Sequence, residues 1–138
     1  MITRDVSAAL IADGDRFLIC QRPEYKARGL LWEFVGGKVE PGESAEEALV
    51  RECLEELDIT VEPERVLMEV VHQYPDIRIR LILFRARIVS GEIRLLEHAA
   101  MAWIKAEETD RYEFCPADQE ILEALRNGLL SEEPDGAV

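Results

Sequence analysis

Apolar and polar residues alternate in short runs over the first part of the chain. Val6–Ala12 and Arg16–Gln21 flank Asp13-Gly14-Asp15, which predicts a β-hairpin. Arg22–Leu31 is polar, contains Pro23 and Gly29, and reads as a loop. Leu31–Val35 predicts a short apolar strand that ends at Gly36-Gly37. The period then changes. At about 100° per residue, Leu49, Val50, Cys53, Leu54 and Leu57 share one arc of a helix, and Glu52, Glu55 and Glu56 share another. Ser44 followed by Glu47 forms a capping box, so this helix is expected over about Ala45–Leu57. Val66–Tyr74 predicts a strand and Pro75-Asp76 a turn. Ile77–Ile88 opens as Ile-Arg-Ile-Arg and becomes apolar, as a strand does when it passes from a half-exposed to a buried position. Ala100–Ile104 is a further strand. Pro116–Leu130 is a second amphipathic helix, with Ile121, Leu122, Leu125 and Leu129 on its apolar face.

Mixed strands with two main helices suit one α/β domain, expected over residues 1–130. The closing Ser-Glu-Glu-Pro-Asp-Gly-Ala-Val, residues 131–138, predicts a flexible tail. The net charge of −13 and the lack of a basic stripe argue against a nucleic-acid polymer as partner. An anionic small molecule must then be met by metal ions and a few local cations. Cys20, Cys53 and Cys115 are widely spaced and form no Cys-x-x-Cys pair, which suits free thiols in a reducing compartment. No leader-like apolar segment and no membrane-length run is present, so a cytoplasmic setting is expected.

The chemistry concentrates between Gly37 and Ile59. Three carboxylates at i, i+3 and i+4 repel one another, and a hard cation removes that cost. The whole stretch reads G-x5-E-x7-R-E-U-x-E-E-x-G-U, where U is apolar, except that Asp58 replaces the last glycine. Asp tolerates the left-handed conformation that this glycine would adopt, so the helix cap is expected to persist.

This pattern resembles the signature of the Nudix hydrolases. Further features resemble the MutT-like branch: Gln21-Arg22, Trp32-Glu33-Phe34 before the two glycines, Glu97 six residues before Trp103, and Pro116-Ala117-Asp118. The resemblance implies a Nudix α/β/α sandwich with a mixed sheet. It implies a nucleoside triphosphate pyrophosphohydrolase, dependent on Mg2+ or on Mn2+ in its place. By position, Glu52, Glu55, Glu56, Glu97 and the carbonyl of Gly37 would hold metal. Glu52 and Glu97 are the two candidates for the proton acceptor. Arg51 would orient loop carboxylates by pairing with Glu43, with Glu47 as an alternative partner. Arg22 and Lys38 are candidates for the phosphates.

Phe34 and Asp118, with Tyr74 beside them, are candidates for the base. Asp118 stands where 8-oxo-dGTP-specialised relatives carry Asn, and a plain helix N-cap is the alternative reading of Asp118. The implied activity is hydrolysis of oxidised nucleoside triphosphates, 8-oxo-dGTP first, to nucleoside monophosphate and pyrophosphate. CTP or modified dCTP is the alternative. A non-catalytic nucleotide sensor is the third reading, disfavoured because every charged position of the motif is present. Neither a membrane nor a nucleic-acid partner is expected, and the chain would be a monomer or a homodimer.

Overall fold

The computed structural model describes residues 2–130, so the expected tail over 131–138 lies outside the described residues. Strands β1 (Thr3–Asp13) and β2 (Arg16–Gln21) are followed by short β3 (Trp32–Glu33) and β4 (Gly36–Lys38). Helix α1 (Ala45–Leu57) leads into β5 (Thr60–Gln73), β6 (Arg78–Ser90) and β7 (Ala100–Lys105). A 3-10 turn at Pro116–Asp118 then opens α2 (Gln119–Arg126).

Strand β1 is the pivot of a mixed sheet. It runs parallel to β6 and antiparallel to β4. Its far end pairs with β2 through Ala12–Phe17 and Asp13–Arg16, the predicted hairpin. Strand β2 carries β3 on one side and β7 on the other, and β5 closes the opposite edge beyond β6.

Ala8–Ile11 is buried throughout because both faces of β1 are covered. Ala8 and Leu10 pack with Phe17, Ile19 and the Ile121, Leu122 and Leu125 face of α2. Ala9 and Ile11 pack with Leu18, Cys20 and the Leu49, Cys53 and Leu57 face of α1. One helix on each face of the sheet gives the expected α/β/α sandwich. Among the described residues no helix is long and apolar enough to cross a membrane.

Three sequence expectations need correction. Strand β5 begins at Thr60 instead of Val66. Its first half, Thr-Val-Glu-Pro-Glu-Arg, is mostly exposed at a sheet edge and broken by register shifts, where a proline is tolerated. The Leu31–Val35 strand is shorter and breaks before Gly36, where β4 starts. Helix α2 spans fewer residues than Pro116–Leu130, yet Leu129 still packs on the core after the chain turns at Gly128.

Candidate active site

The site is built where α1 meets β4 and the loop before β7. Ser44 accepts the Glu47 N–H, and the Glu47 carboxylate accepts the Ser44 N–H, so α1 starts where the capping box places it. Its C-cap, Asp58, is left-handed at φ 57°, with its N–H bonded to Leu54 O. Helix termini leave carbonyls unpaired. Here the backbone N–H groups of Leu96 and Arg94 bond to Glu56 O at 3.0 Å and Leu57 O at 2.9 Å. The loop that carries Glu97 and His98 is thereby laced to the helix that carries the carboxylates.

Strand β4 lies against α1 and needs its glycines. A β-carbon on Gly36 would collide with Ser7 O. One on Gly37 would lie 2.6 Å from both carboxylate oxygens of Glu52. The Gly37 backbone and the Glu52 carboxylate therefore share one small space.

Arg51 organises the loop before α1. Its Nε and Nη2 donate to the two oxygens of Glu43 at 2.6 and 2.9 Å, and Nη2 also donates to Lys38 O at 3.0 Å. Its Nη1 reaches Glu52 Oε1 at 2.9 Å and Glu55 Oε2 at 3.4 Å. The hydrogen bonds from Arg51 drop the Glu43 pKa to about 2. The alternative partner, Glu47, is taken by the capping box.

Glu56 is buried on the same helix, and its Oε1 has no hydrogen-bond partner. Burial, with the negative charge of Glu52 and Glu33 nearby, pushes its pKa up to about 8. Burial also raises Glu52, against the pull of Arg51. Glu55 is exposed. Glu97 accepts from Tyr25 Oη at 2.6 Å and pairs with Lys26 Nζ at 3.0 Å, contacts that hold its carboxyl below the usual range. Among the described residues no three Asp, Glu, His or Cys side chains already converge as a cage. Even so, a buried carboxylate with an orphaned oxygen beside a second raised carboxylate is a donor set that suits a hard divalent cation.

A cavity of about 450 Å³ runs from Glu52 and Glu56 past Gly37 and Lys38 to Asp118. Arg22, Phe34 and Tyr74 also line it. Glu43, Arg51, Glu55 and Glu97 do not. Phe34 sits in the core, 6.0 Å from the Phe17 ring and 6.1 Å from the Phe114 ring. Asp118 stands at the N-cap position of α2, but its side chain makes no capping hydrogen bond. It is 3% exposed, and its pKa is raised well above the carboxylate range by burial first and Glu33 second.

Sequence reasoning assigned no role to Glu33 or His98. Glu33 accepts from Arg22 Nη1 at 2.9 Å and from His98 Nε2 at 3.0 Å. With Nε2 engaged by Glu33, His98 Nδ1 is left buried without a partner. Arg22 and Glu33 fall in segments that resemble the MutT-like branch, but no local spacing joins them to His98, because the three come from the β2–β3 loop, β3 and the loop before β7.

The whole domain agrees with one family. Residues 7–124 match the model of the NUDIX domain. The chain belongs to the Nudix hydrolase family. It is 38% identical over 121 residues to a CTP pyrophosphohydrolase of Escherichia coli (strain K12), covering 88% of this chain and 90% of that protein. It is 35% identical to a putative 8-oxo-dGTP diphosphatase 2 of Mycobacterium tuberculosis, covering 94% and 92%. The crystal structure of MutT protein from Methanosarcina mazei Go1 superposes with a TM-score of 0.82 at 25% identity, covering 95% of this chain and 96% of that one. Nudix hydrolases use divalent metal ions, the class of ligand that the Glu52–Glu56 pair suits.

Proposed function

We propose that this Nudix hydrolase is a nucleoside triphosphate pyrophosphohydrolase that requires Mg2+ or Mn2+ and releases nucleoside monophosphate and pyrophosphate. The observation that carries this reading is the cavity itself. One end is bounded by the buried Glu56 carboxylate, whose Oε1 has no partner, beside the half-buried Glu52, and the other by a buried acid. A molecule with a diphosphate at one end and a hydrogen-bonding base at the other matches both.

Glu52 and Glu56 would hold the cation, with Glu55, Glu97 and the Gly37 carbonyl as further oxygen donors. When bound, divalent cations neutralise phosphate charge and acidify water. Arg51 fixes the Glu52 carboxylate and the loop through Glu43. Lys38 and Arg22 offer positive charge along the cavity wall. Glu52 or Glu97 accepts the proton of the attacking water.

At the base end the raised pKa of Asp118 favours a neutral carboxylic acid, which presents one donor and one acceptor. Cytosine offers the complementary pair, N3 as acceptor and the N4 amine as donor. Cytidine nucleotides are therefore the first reading for the base, supported by the CTP pyrophosphohydrolase relative. Guanine offers O6 and N1–H, so 8-oxo-dGTP is the second reading, supported by the 8-oxo-dGTP diphosphatase relative.

The test is pyrophosphate release with Mg2+ at equal low concentrations of CTP, 5-methyl-dCTP, 8-oxo-dGTP, dGTP and ADP-ribose. Higher kcat/KM for the cytidine nucleotides supports the first reading. Preference for 8-oxo-dGTP over dGTP supports the second. No turnover across the panel overturns the enzymatic proposal and leaves the nucleotide sensor.

A further inference from the structure

The loop between β2 and β3 is a built object. Its neck is closed by Arg22 N–H to Leu31 O at 2.9 Å and Leu30 N–H to Arg22 O at 3.0 Å. Inside it, Arg22 Nε donates to Ala27 O at 2.9 Å. Arg28 and Leu30 both hold left-handed backbone, at φ 59° and φ 65°. A β-carbon on the intervening Gly29 would collide with Glu24 O. Non-glycine residues in that region persist only where their surroundings hold them, and such strain collects at ligand clamps.

Arg28 shows what the strain achieves. Its guanidinium stacks 4.0 Å from the centroid of the Tyr74 ring, and its Nη1 pairs with Asp76 at 3.0 Å. Tyr74 and Asp76 belong to the corner between β5 and β6. Tyr74 Oη in turn accepts the N–H of Ala117, next to Asp118, at 2.9 Å. Arg28, Tyr74, Ala117 and Asp118 all line the cavity. One side chain thus bridges from the loop to the opposite wall at the end of the cavity that holds Asp118.

We propose that Arg28 is a positioning residue for the nucleobase. By clamping the 22–31 loop onto the Tyr74–Asp76 corner, it fixes the wall against which the base is read by Asp118. It does not act on the phosphates, which lie at the Glu52–Glu56 end. This rests on the proposed nucleotide reading of the cavity.

The test compares wild type with Arg28→Ala and Arg28→Lys. Three quantities are measured: KM and kcat for the preferred nucleoside triphosphate, the inhibition constant of inorganic pyrophosphate, and amide exchange over residues 24–30 in the substrate-free protein. In Arg28→Ala we expect KM to rise about tenfold, equivalent to about 1.4 kcal/mol. We expect kcat and the pyrophosphate constant to stay within about twofold, and loop exchange to quicken. Arg28→Lys keeps the charge without the planar stack and should recover KM only in part. Three results overturn the proposal: an unchanged KM in Arg28→Ala with an active wild type, a pyrophosphate constant that rises in step with KM, or unchanged exchange. A wild type that turns over no nucleotide strikes the proposed function instead, and the exchange measurement then judges the clamp alone.

Discussion

Gly37 and Glu52 occupy space that only a glycine can leave free: a β-carbon at Gly37 would sit 2.6 Å from both oxygens of the Glu52 carboxylate. The motif glycine is therefore tied to the motif carboxylate by volume. Gly37→Ala should push Glu52 off its place beside Arg51 while leaving the two buried helix faces intact. Misplacement of a reacting group by about 1 Å can cost on the order of 100-fold in rate. We expect kcat to fall by at least about 100-fold with an unchanged circular dichroism spectrum. A Gly37→Ala enzyme with near-normal kcat would remove Glu52 from the chemistry.

Glu56 carries the clearest unmet demand in the molecule. Its pKa stands at about 8, above the ordinary 4.5, so the folded protein holds this proton more tightly than the unfolded chain. The metal-free fold loses stability as pH rises from about 4.5 to about 8, and the loss at pH 7 is on the order of 3 kcal/mol. Glu56→Gln should relieve it. The variant is expected to melt higher than wild type without metal at pH 7, and to lose most of the stabilisation that added Mg2+ gives wild type. Equal Mg2+-induced shifts in melting temperature would place the cation elsewhere. Glu52→Gln should likewise abolish turnover with the fold retained, as measured by pyrophosphate release beside a melting curve.

How much of this was legible beforehand depends on how local the signal is. Helix α1, its capping box and its left-handed Asp58 cap follow from neighbouring residues, and each is observed. The hairpin at Asp13–Asp15 is equally local. The start of β5 was missed because Pro63 and its polar neighbours carry no alternation; pairing with β6 makes that stretch a strand. The same holds at the site. The charged positions of the motif sit within one short segment and could be named from it. Glu33, His98 and Arg28 act through partners as much as 65 residues away, and no spacing rule reaches that far.

The Arg51–Glu43 pair makes a prediction at low pH. The pKa of Glu43 is depressed to about 2, so its contribution to folding is complete above the ordinary carboxylate pKa of 4.5 and disappears as pH falls towards 2. Glu43→Gln should be less stable than wild type at pH 6, and the two urea midpoints should converge between pH 4.5 and pH 2. A gap that stays constant over that window would mean that Glu43 acts through packing and not through its charge. Because both sides of the pair are solvent-accessible, the gap should also narrow in high salt.

Asp118 offers the sharpest test of how the base is read. Its pKa is raised well above 3.8 by burial, so ionisation opposes folding. Stability attached to this group is greatest below pH 3.8 and falls as pH rises towards the folded value. Asparagine presents the same donor and acceptor without an ionisable proton. Asp118→Asn should therefore be more stable than wild type at pH 7, and that advantage should shrink as pH falls towards 4. It should keep kcat/KM for the preferred nucleotide within about fivefold, whereas Asp118→Ala, which removes a paired contact to the base, should lose about 10- to 100-fold. Measured together, urea midpoints at pH 4 and pH 7 and kcat/KM for the three proteins separate the alternatives. If Asp118→Asn is as impaired as Asp118→Ala and gains no stability at pH 7, the base is met by an ionised Asp118, and the neutral-acid reading of this cavity fails.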